Sequence, residues 1–254
     1  MRSFNIGRFG NSDDPWFRVG NVDVNTTIFV LGLGVISGLV FVVPQFRSLS
    51  NDLLFQPGAV FTGGQVWRVV TWPFANILDF WTLILFFVFF MLGSQLEAAM
   101  GKRLFATYLA ALVFIPTALG LIFYLLTRQD GFVGGLRMVE LGVLVGFAIR
   151  LPNARFWPGI PAWVVAAGIV LLNLLGSLDD VFATFFLICV VAVALVGLRS
   201  LGFAEEAHWV PKVPLPASVT GTTPTPRAPR ASRCLLYTSP SPRDATLSRM
   251  PSSA

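Results

Sequence analysis

The stretch from residue 80 to residue 126 reads FWTLILFFVFFMLGSQLEAAMGKRLFATYLAALVFIPTALGLIFYLL and sets the class of structure. Two long apolar runs flank a short polar segment that contains Glu97, Lys102 and Arg103. A helix needs about 20 apolar residues to cross the roughly 30 Å of a bilayer's hydrocarbon core. The pattern therefore predicts two membrane-spanning helices, over residues 77–96 and 104–127, joined by a short charged turn.

The composition of the whole chain also indicates a membrane protein. Of its 254 residues, 55% are hydrophobic and 12% are charged, and the mean hydropathy is +0.73. A soluble domain carries about a quarter charged residues, so the composition argues against a soluble globule and against a disordered chain. In all, the apolar runs predict an all-α membrane protein with six transmembrane helices, over residues 27–43, 77–96, 104–127, 133–149, 157–175 and 181–198.

The positions of the basic residues predict the orientation of these spans. Lys and Arg in short loops mark the cytoplasmic side of a membrane. With six spans, both termini share one side with Lys102, Arg103, Arg150, Arg155 and Arg199. We therefore expect cytoplasmic termini in a multi-pass protein of the plasma membrane, and the lack of an organelle signal favours a bacterial one. The net charge of +5 follows from this bias and from a basic tail, which disfavours a nucleic-acid interface.

Changes in composition divide the chain into three segments. Residues 1–24 are predicted as a cytoplasmic N-terminal segment, residues 25–202 as the membrane domain and residues 203–254 as a disordered cytoplasmic tail. Residues 234–244 resemble translated adaptor sequence, so we treat 234–254 as artefactual and assign it no function. Within the membrane domain, residues 46–74 are too apolar for a solvated loop. They are predicted to lie along the membrane interface, with Trp67 and Trp72 at the level of the headgroups.

Ligands for a metal or a cofactor are scarce in the sequence. The single histidine, His208, follows the last predicted span, and Cys189 and Cys234 lie far apart. The usual ligand spacings of zinc and haem sites are therefore missing. We expect no metal and no cofactor.

An ordered series of short motifs accompanies the predicted spans. Trp67 and Arg68 form a Trp-Arg pair in the interfacial segment, and a Gly-x-x-x-Glu-x-x-x-Gly pattern ends the second span at Gly93, Glu97 and Gly101. In its order and spacing this succession resembles the rhomboid superfamily, over residues 25–202. The resemblance implies a six-helix rhomboid-like bundle with a membrane-lying first loop.

The catalytic residues that this resemblance implies are missing from the sequence. Rhomboid peptidases carry a serine nucleophile in Gly-x-Ser-Gly at the start of the fourth helix and a histidine base in the sixth, since serine attacks poorly until a base takes its proton. Here Arg137 occupies the serine position, and residues 181–198 contain no histidine. Trp81 and Leu85 stand where the family's oxyanion-binding His and Asn would fall. The resemblance therefore implies a pseudoprotease with no catalytic residue, and an intramembrane serine endopeptidase is the alternative.

Two pairs in the fourth predicted helix are candidate binding or structural residues. Arg137 and Glu140 are three residues apart, so we predict that they share a helix face and form an ion pair, with a functional role as the alternative. Gly142 and Gly146 present a small-residue face. We predict that this face packs against the second and sixth helices, with homodimerisation as the alternative.

The remaining candidates lie in the first loop and the second helix. Trp67 and Arg68 are predicted to anchor the loop, with a substrate contact as the alternative. The second helix is predicted to turn an aromatic surface towards lipid, with a lateral docking face as the alternative; this surface comprises Phe80, Phe86, Phe87, Phe89 and Phe90. The function expected from the resemblance is non-catalytic binding of transmembrane segments of client proteins within the lipid bilayer. The client and the oligomeric state stay open.

Overall fold

Helices dominate the part of the chain that the structure describes. The computed structural model describes residues 17–19, 22–151, 154–156, 159–202 and 211. Its elements in chain order are β1 (Phe17–Val19), β2 (Val22–Val24), α1 (Thr26–Val42), α2 (Arg47–Leu53), α3 (Pro57–Gly63), α4 (Arg68–Thr71), α5 (Phe80–Met100), α6 (Lys102–Thr127), α7 (Leu136–Arg150), β3 (Arg155–Phe156), β4 (Ile160–Pro161), α8 (Ala162–Gly176) and α9 (Val181–Ser200). Strand β1 pairs antiparallel with β2, and β3 with β4. Apart from residue 211, the tail predicted over 203–254 lies outside the described residues, as do residues 1–16 of the N-terminal segment.

Each of the six segments predicted to span the membrane contains a helix. Among the described residues, α5, α6 and α9 are long and apolar enough to cross a bilayer, with 21, 26 and 20 residues. A fourth span arises if α1 and the following residues Pro44–Leu53 are joined across their 108° bend. Helices α7 and α8 have 15 residues each, which is about 22 Å at 1.5 Å per residue and less than the hydrocarbon thickness. The structure therefore supports a membrane protein with three, or up to four, helices of spanning length.

Helix α7 lies at the centre of the fold. It packs against α5, α6, α8 and α9, and every residue from 139 to 148 is buried. A helix that is apolar around most of its circumference suits such a position. Polar side chains on α7 therefore lie inside the packed helices or at their edge, not in an open loop.

The aromatic residues of α5 divide between its two faces. Phe80 and Phe87 are 72% and 63% exposed, and Phe90 is also exposed. The prediction that all five phenylalanines face lipid is wrong for Phe86 and Phe89, which are buried. Their positions in the helical repeat turn them towards the neighbouring helices, and a composition-based argument does not separate the two faces.

The segment between α1 and α5 folds into three short α-helices, α2 to α4, which are preceded by a 3-10 helix, Pro44–Phe46, and followed by a 3-10 turn, Trp72–Phe74. Trp67 is half-exposed, but Trp72 is completely buried, so its predicted place at the headgroup level is wrong. The Trp72 Nε1–H donates a hydrogen bond to Thr117 Oγ1 of α6 at 3.1 Å, and its ring meets Phe186 of α9 edge-on at 5.4 Å. An indole needs only one acceptor, and Thr117 supplies it inside the core.

Candidate functional site

The candidate site lies at the start of α7, around Arg137. Gly135 has a φ of +86°, a conformation that favours glycine, and its N–H donates to the Trp72 carbonyl at 2.8 Å. The next amide, of Leu136, donates to Asn76 Oδ1 at 2.8 Å. Asn76 is buried, and its Nδ2 donates to the Pro73 carbonyl at 2.8 Å. The first turn of α7 is therefore capped by a residue 60 positions earlier in the chain.

Sequence reasoning did not select Asn76. The available signal was a lone amide side chain in the apolar stretch WPFANIL, residues 72–78. A buried amide of this kind needs hydrogen-bond partners, and the unsatisfied N–H groups at a helix start are ready donors. Which helix it would cap was not readable, since the partner is distant in sequence.

The Arg137 side chain contacts the neighbouring helix α8. It is exposed, and its Nη2 donates to Asn173 Oδ1 at 2.8 Å. No salt bridge joins Arg137 and Glu140 among the residues that the structure describes, so the predicted ion pair is a longer-range attraction and not a direct contact. The spacing of three residues permits a pair on one helix, but the long Arg137 side chain instead finds an acceptor on the neighbouring helix.

Glu140 is the unusual residue of this region. Its side chain is 7% exposed, and its Oε2 has no hydrogen-bond partner within the described part of the chain. A buried carboxylate is stable only when it is paired, hydrogen-bonded or protonated. Arg137 and Glu140 lie nearly one helical turn apart, so the Arg137–Asn173 hydrogen bond and the Glu140 carboxylate form one polar patch on this face of α7.

The opposite side of α7 is its small-residue face. A Cβ at Gly142 would lie 2.7 Å from Leu112 of α6, and one at Gly146 would lie 2.6 Å from the Tyr108 hydroxyl of α6 and 2.9 Å from Leu198 of α9. The buried Tyr108 hydroxyl donates to the Gly142 carbonyl at 2.7 Å. The predicted packing of this helix against the second and sixth helices is confirmed, because α7 packs against α5 and α9. The two glycines themselves contact α6 and α9. Because both glycines are buried within one chain, they are not available for a homodimer.

Glu97 holds the start of α1 against α5. Its Oε1 accepts the Thr26 N–H at 2.7 Å, and its Oε2 accepts the Thr27 N–H at 2.9 Å and the Thr27 hydroxyl at 2.6 Å. The Asn25 side chain makes no capping hydrogen bond, so Glu97 supplies the cap from another helix. A Cβ at Gly93, one turn earlier, would lie 2.9 Å from Thr27 Cγ2. The Gly93 and Glu97 motif therefore brings two helices together.

Arg68 organises the loop before α5. It is buried, and its Nη1 donates to the carbonyls of Asn51 and Leu54 at 2.8 and 2.7 Å. Its Nε donates to Gln65, and its Nη2 lies 3.5 Å from Asp52 Oδ1. The indole N–H of the half-exposed Trp67 donates to the Asp52 carbonyl at 3.3 Å. This geometry favours the predicted anchoring role, since the arginine side chain of α4 binds the carbonyl groups at the end of α2.

No residue in the described part of the chain combines with others into a recognisable catalytic or metal site. The Ser37 hydroxyl donates to the Gly34 carbonyl of its own helix at 2.8 Å. Groups of three or more His, Cys, Asp or Glu side chains that could hold a metal are not found among the described residues. His208, the only histidine of the sequence, lies outside them.

Comparison with known proteins gives no family assignment. The chain matches no protein-family model, and a search of curated proteins finds no match. Function therefore has to be argued from the residues and contacts above.

Proposed function

We propose that the protein is a non-catalytic, rhomboid-like membrane protein that binds transmembrane segments of client proteins, with the six helices α1, α5, α6, α7, α8 and α9 as its bundle. Support for this fold comes from the motif residues. Arg68, Gly93 and Glu97 each make an inter-element contact that positions a loop or a helix. The resemblance and the geometry thus concern the same residues.

The observation that carries the binding proposal is the unpaired Glu140 oxygen. Ionisable residues inside a membrane domain are expensive and mark functional sites by default. A client helix with a hydrogen-bond donor, such as an Asn side chain, would supply the missing partner. Arg137 and Asn173 beside it would offer further polar contacts to the client.

Access to Glu140 would come through α8. Of the 15 residues of α8, only Ala162 and Ala166 are buried, and the helix packs mainly on α7. An element that buries so little apolar surface moves at low energetic cost. We propose that a client helix displaces α8 and pairs with Glu140.

The peptidase alternative lacks a base. Arg137 is charged at every physiological pH and cannot act as the nucleophile. The sequence offers only His208 as an imidazole base, after the last helix. A serine peptidase would therefore need a second, unrelated catalytic arrangement.

The experiment uses the full chain in proteoliposomes with two leucine-rich transmembrane peptides, one with a central Asn and one with Leu at that position. Förster transfer should show tighter binding of the Asn peptide, by roughly threefold to thirtyfold, the range of one interhelical hydrogen bond. Glu140→Leu should remove the difference, and Gln95→Leu on α5 is the control. Equal binding of both peptides would contradict the proposal. Labelling of an intramembrane serine by a fluorophosphonate probe would favour the peptidase instead.

A further inference from the structure

A second feature is an apolar groove whose lining includes neither Arg137 nor Glu140. A groove of about 530 Å³ runs between α1 and α6 and ends against the 3-10 turn and the start of α7. Its lining includes Phe29, Val30, Ala106, Ala110, Val113 and Leu136. The volume falls within the roughly 300–1,000 Å³ of small-molecule pockets.

The groove arises from how α1 is held. Glu97 fixes the start of α1 to α5, and α1 packs mainly on α5. Across from α1, helix α6 presents the small residues Ala106 and Ala110, which do not fill the space between the two helices. At the rim, Phe29, Val70 and Phe114 are each 48% exposed, so the groove opens to the outside of the bundle.

The chemistry of the lining restricts what can occupy the groove. Apart from Thr26, the described residues that line it are apolar, and the Thr26 amide already donates to Glu97. Apolar cavities do not retain water, and an unfilled space forfeits dispersion contacts along both walls. In a bilayer the ligand of matching chemistry and shape is a hydrocarbon chain.

A positive charge stands at one end of the groove. Arg103 is exposed and lies on the same face of α6 as Ala106, Ala110 and Phe114, since these residues follow at intervals of three, four and four. Lys102 precedes it at the first position of α6. The start of a helix adds a partial positive charge. A ligand with a hydrocarbon chain in the groove would therefore place an anionic group at Arg103.

From this arrangement we propose that the groove binds one acyl chain of an anionic phospholipid, with the lipid phosphate at Lys102 and Arg103. The site uses other residues than the proposed client binding, because neither Arg137 nor Glu140 lines the groove. It also fits the predicted cytoplasmic position of Lys102 and Arg103, since anionic lipids attract basic residues on that side of a membrane.

The test is native mass spectrometry of the full chain released from nanodiscs that contain equal amounts of phosphatidylglycerol and phosphatidylcholine. The wild-type protein should retain one phosphatidylglycerol in preference to phosphatidylcholine. Arg103→Gln should reduce this preference by about fivefold, the contribution of one basic residue near an anionic headgroup. Ala110→Phe should fill the groove and release the lipid, whereas Ile115→Phe, at an exposed position on another face of α6 that does not line the groove, should not.

Three results would overturn the proposal. The first is a wild-type protein that retains no lipid, and the second is an unchanged preference in Arg103→Gln. Arg103 is exposed, so this variant remains informative even if Ala110→Phe does not fold. The third is displacement of the lipid by one equivalent of a leucine-rich transmembrane peptide, which would assign the groove to a protein helix.

Discussion

The Glu97 carboxylate binds Thr27 twice, through the backbone N–H at 2.9 Å and through the side-chain hydroxyl at 2.6 Å. Both residues are buried, so the contact links the start of α1 to α5 away from bulk water. A carboxylate near the N-terminus of a helix is also favoured by the partial positive charge there. Glu97 is therefore a structural residue that fixes the position of α1.

Removing this carboxylate should destabilise the fold. Glu97→Ala leaves the amides of Thr26 and Thr27 without their acceptor, and we expect a loss of about 3 kcal/mol of unfolding free energy. Glu97→Gln retains one acceptor oxygen and should lose less. The measurement is unfolding of the detergent-solubilised protein followed by tryptophan fluorescence. Gln95→Ala, two residues away on α5, is the control, and an equal loss in that variant would argue against a specific role for Glu97.

Glycine-to-alanine substitutions should change the stability in opposite directions in α7 and α8. Gly146→Ala would place a Cβ 2.6 Å from the Tyr108 hydroxyl, so we expect a loss of about 1–3 kcal/mol by overpacking. Gly168→Ala in α8 has no neighbouring atom within 4 Å. It should be neutral or stabilise by up to about 1 kcal/mol, because alanine restricts the unfolded chain. Thermal unfolding of both variants checks the contrast, and a destabilising Gly168→Ala would contradict it.

Asp79 gives a prediction about pH. Its carboxylate accepts the Thr82 N–H at 2.7 Å and so caps the start of α5. Hydrogen bonds from Thr82, first from its side chain and then from its backbone, lower the pKa of Asp79 below its ordinary value of 3.8. The capping contribution is therefore complete above that value and is lost as the pH falls through the lowered pKa.

The measurement compares the melting temperatures of the wild type and Asp79→Ala at two pH values. At about pH 6 the wild type should melt higher, and at about pH 2 the difference should shrink because the wild-type carboxyl is then protonated. Asp179→Ala, which changes an exposed aspartate before α9, should show a smaller difference at both values. A difference for Asp79→Ala that stays constant across this range would exclude the capping carboxylate as its cause.

Structural features that depend on local sequence were predictable from the sequence, and features that depend on contacts between distant residues were not. Apolar run length located a helix in each of the six predicted segments, because helix formation depends on consecutive residues, but only α5, α6 and α9 reach spanning length on their own among the described residues. The burial of Phe86 and Trp72 was missed, since it depends on which neighbours surround each face. Asn76 caps α7 across 60 residues, and Arg137 bonds Asn173 across 36. Helical spacing alone suggested the nearer Glu140 for Arg137, and tertiary packing provided a different partner.

Substitution of Glu140 tests the polar patch on α7 directly. Its expected effect on the stability of the protein is opposite to that of substituting Glu97. Both carboxylates are buried, but Glu97 accepts three hydrogen bonds while Glu140 Oε2 has no partner among the described residues. Replacing a buried acid that has an oxygen without a hydrogen-bond partner by an apolar group removes a desolvation penalty. Glu140→Leu should therefore stabilise the protein by about 1–2 kcal/mol, whereas Glu97→Leu should destabilise it.

The same unfolding assay measures both variants, with peptide binding as the second readout. Glu140→Leu should gain stability while it loses the preference for the Asn-containing peptide, a trade-off typical of residues kept for function. A stabilised variant that still discriminates between the two peptides would separate the unpaired carboxylate from client recognition. A destabilised Glu140→Leu would instead mean that Glu140 has a structural partner, and it would remove the observation on which the proposed function depends.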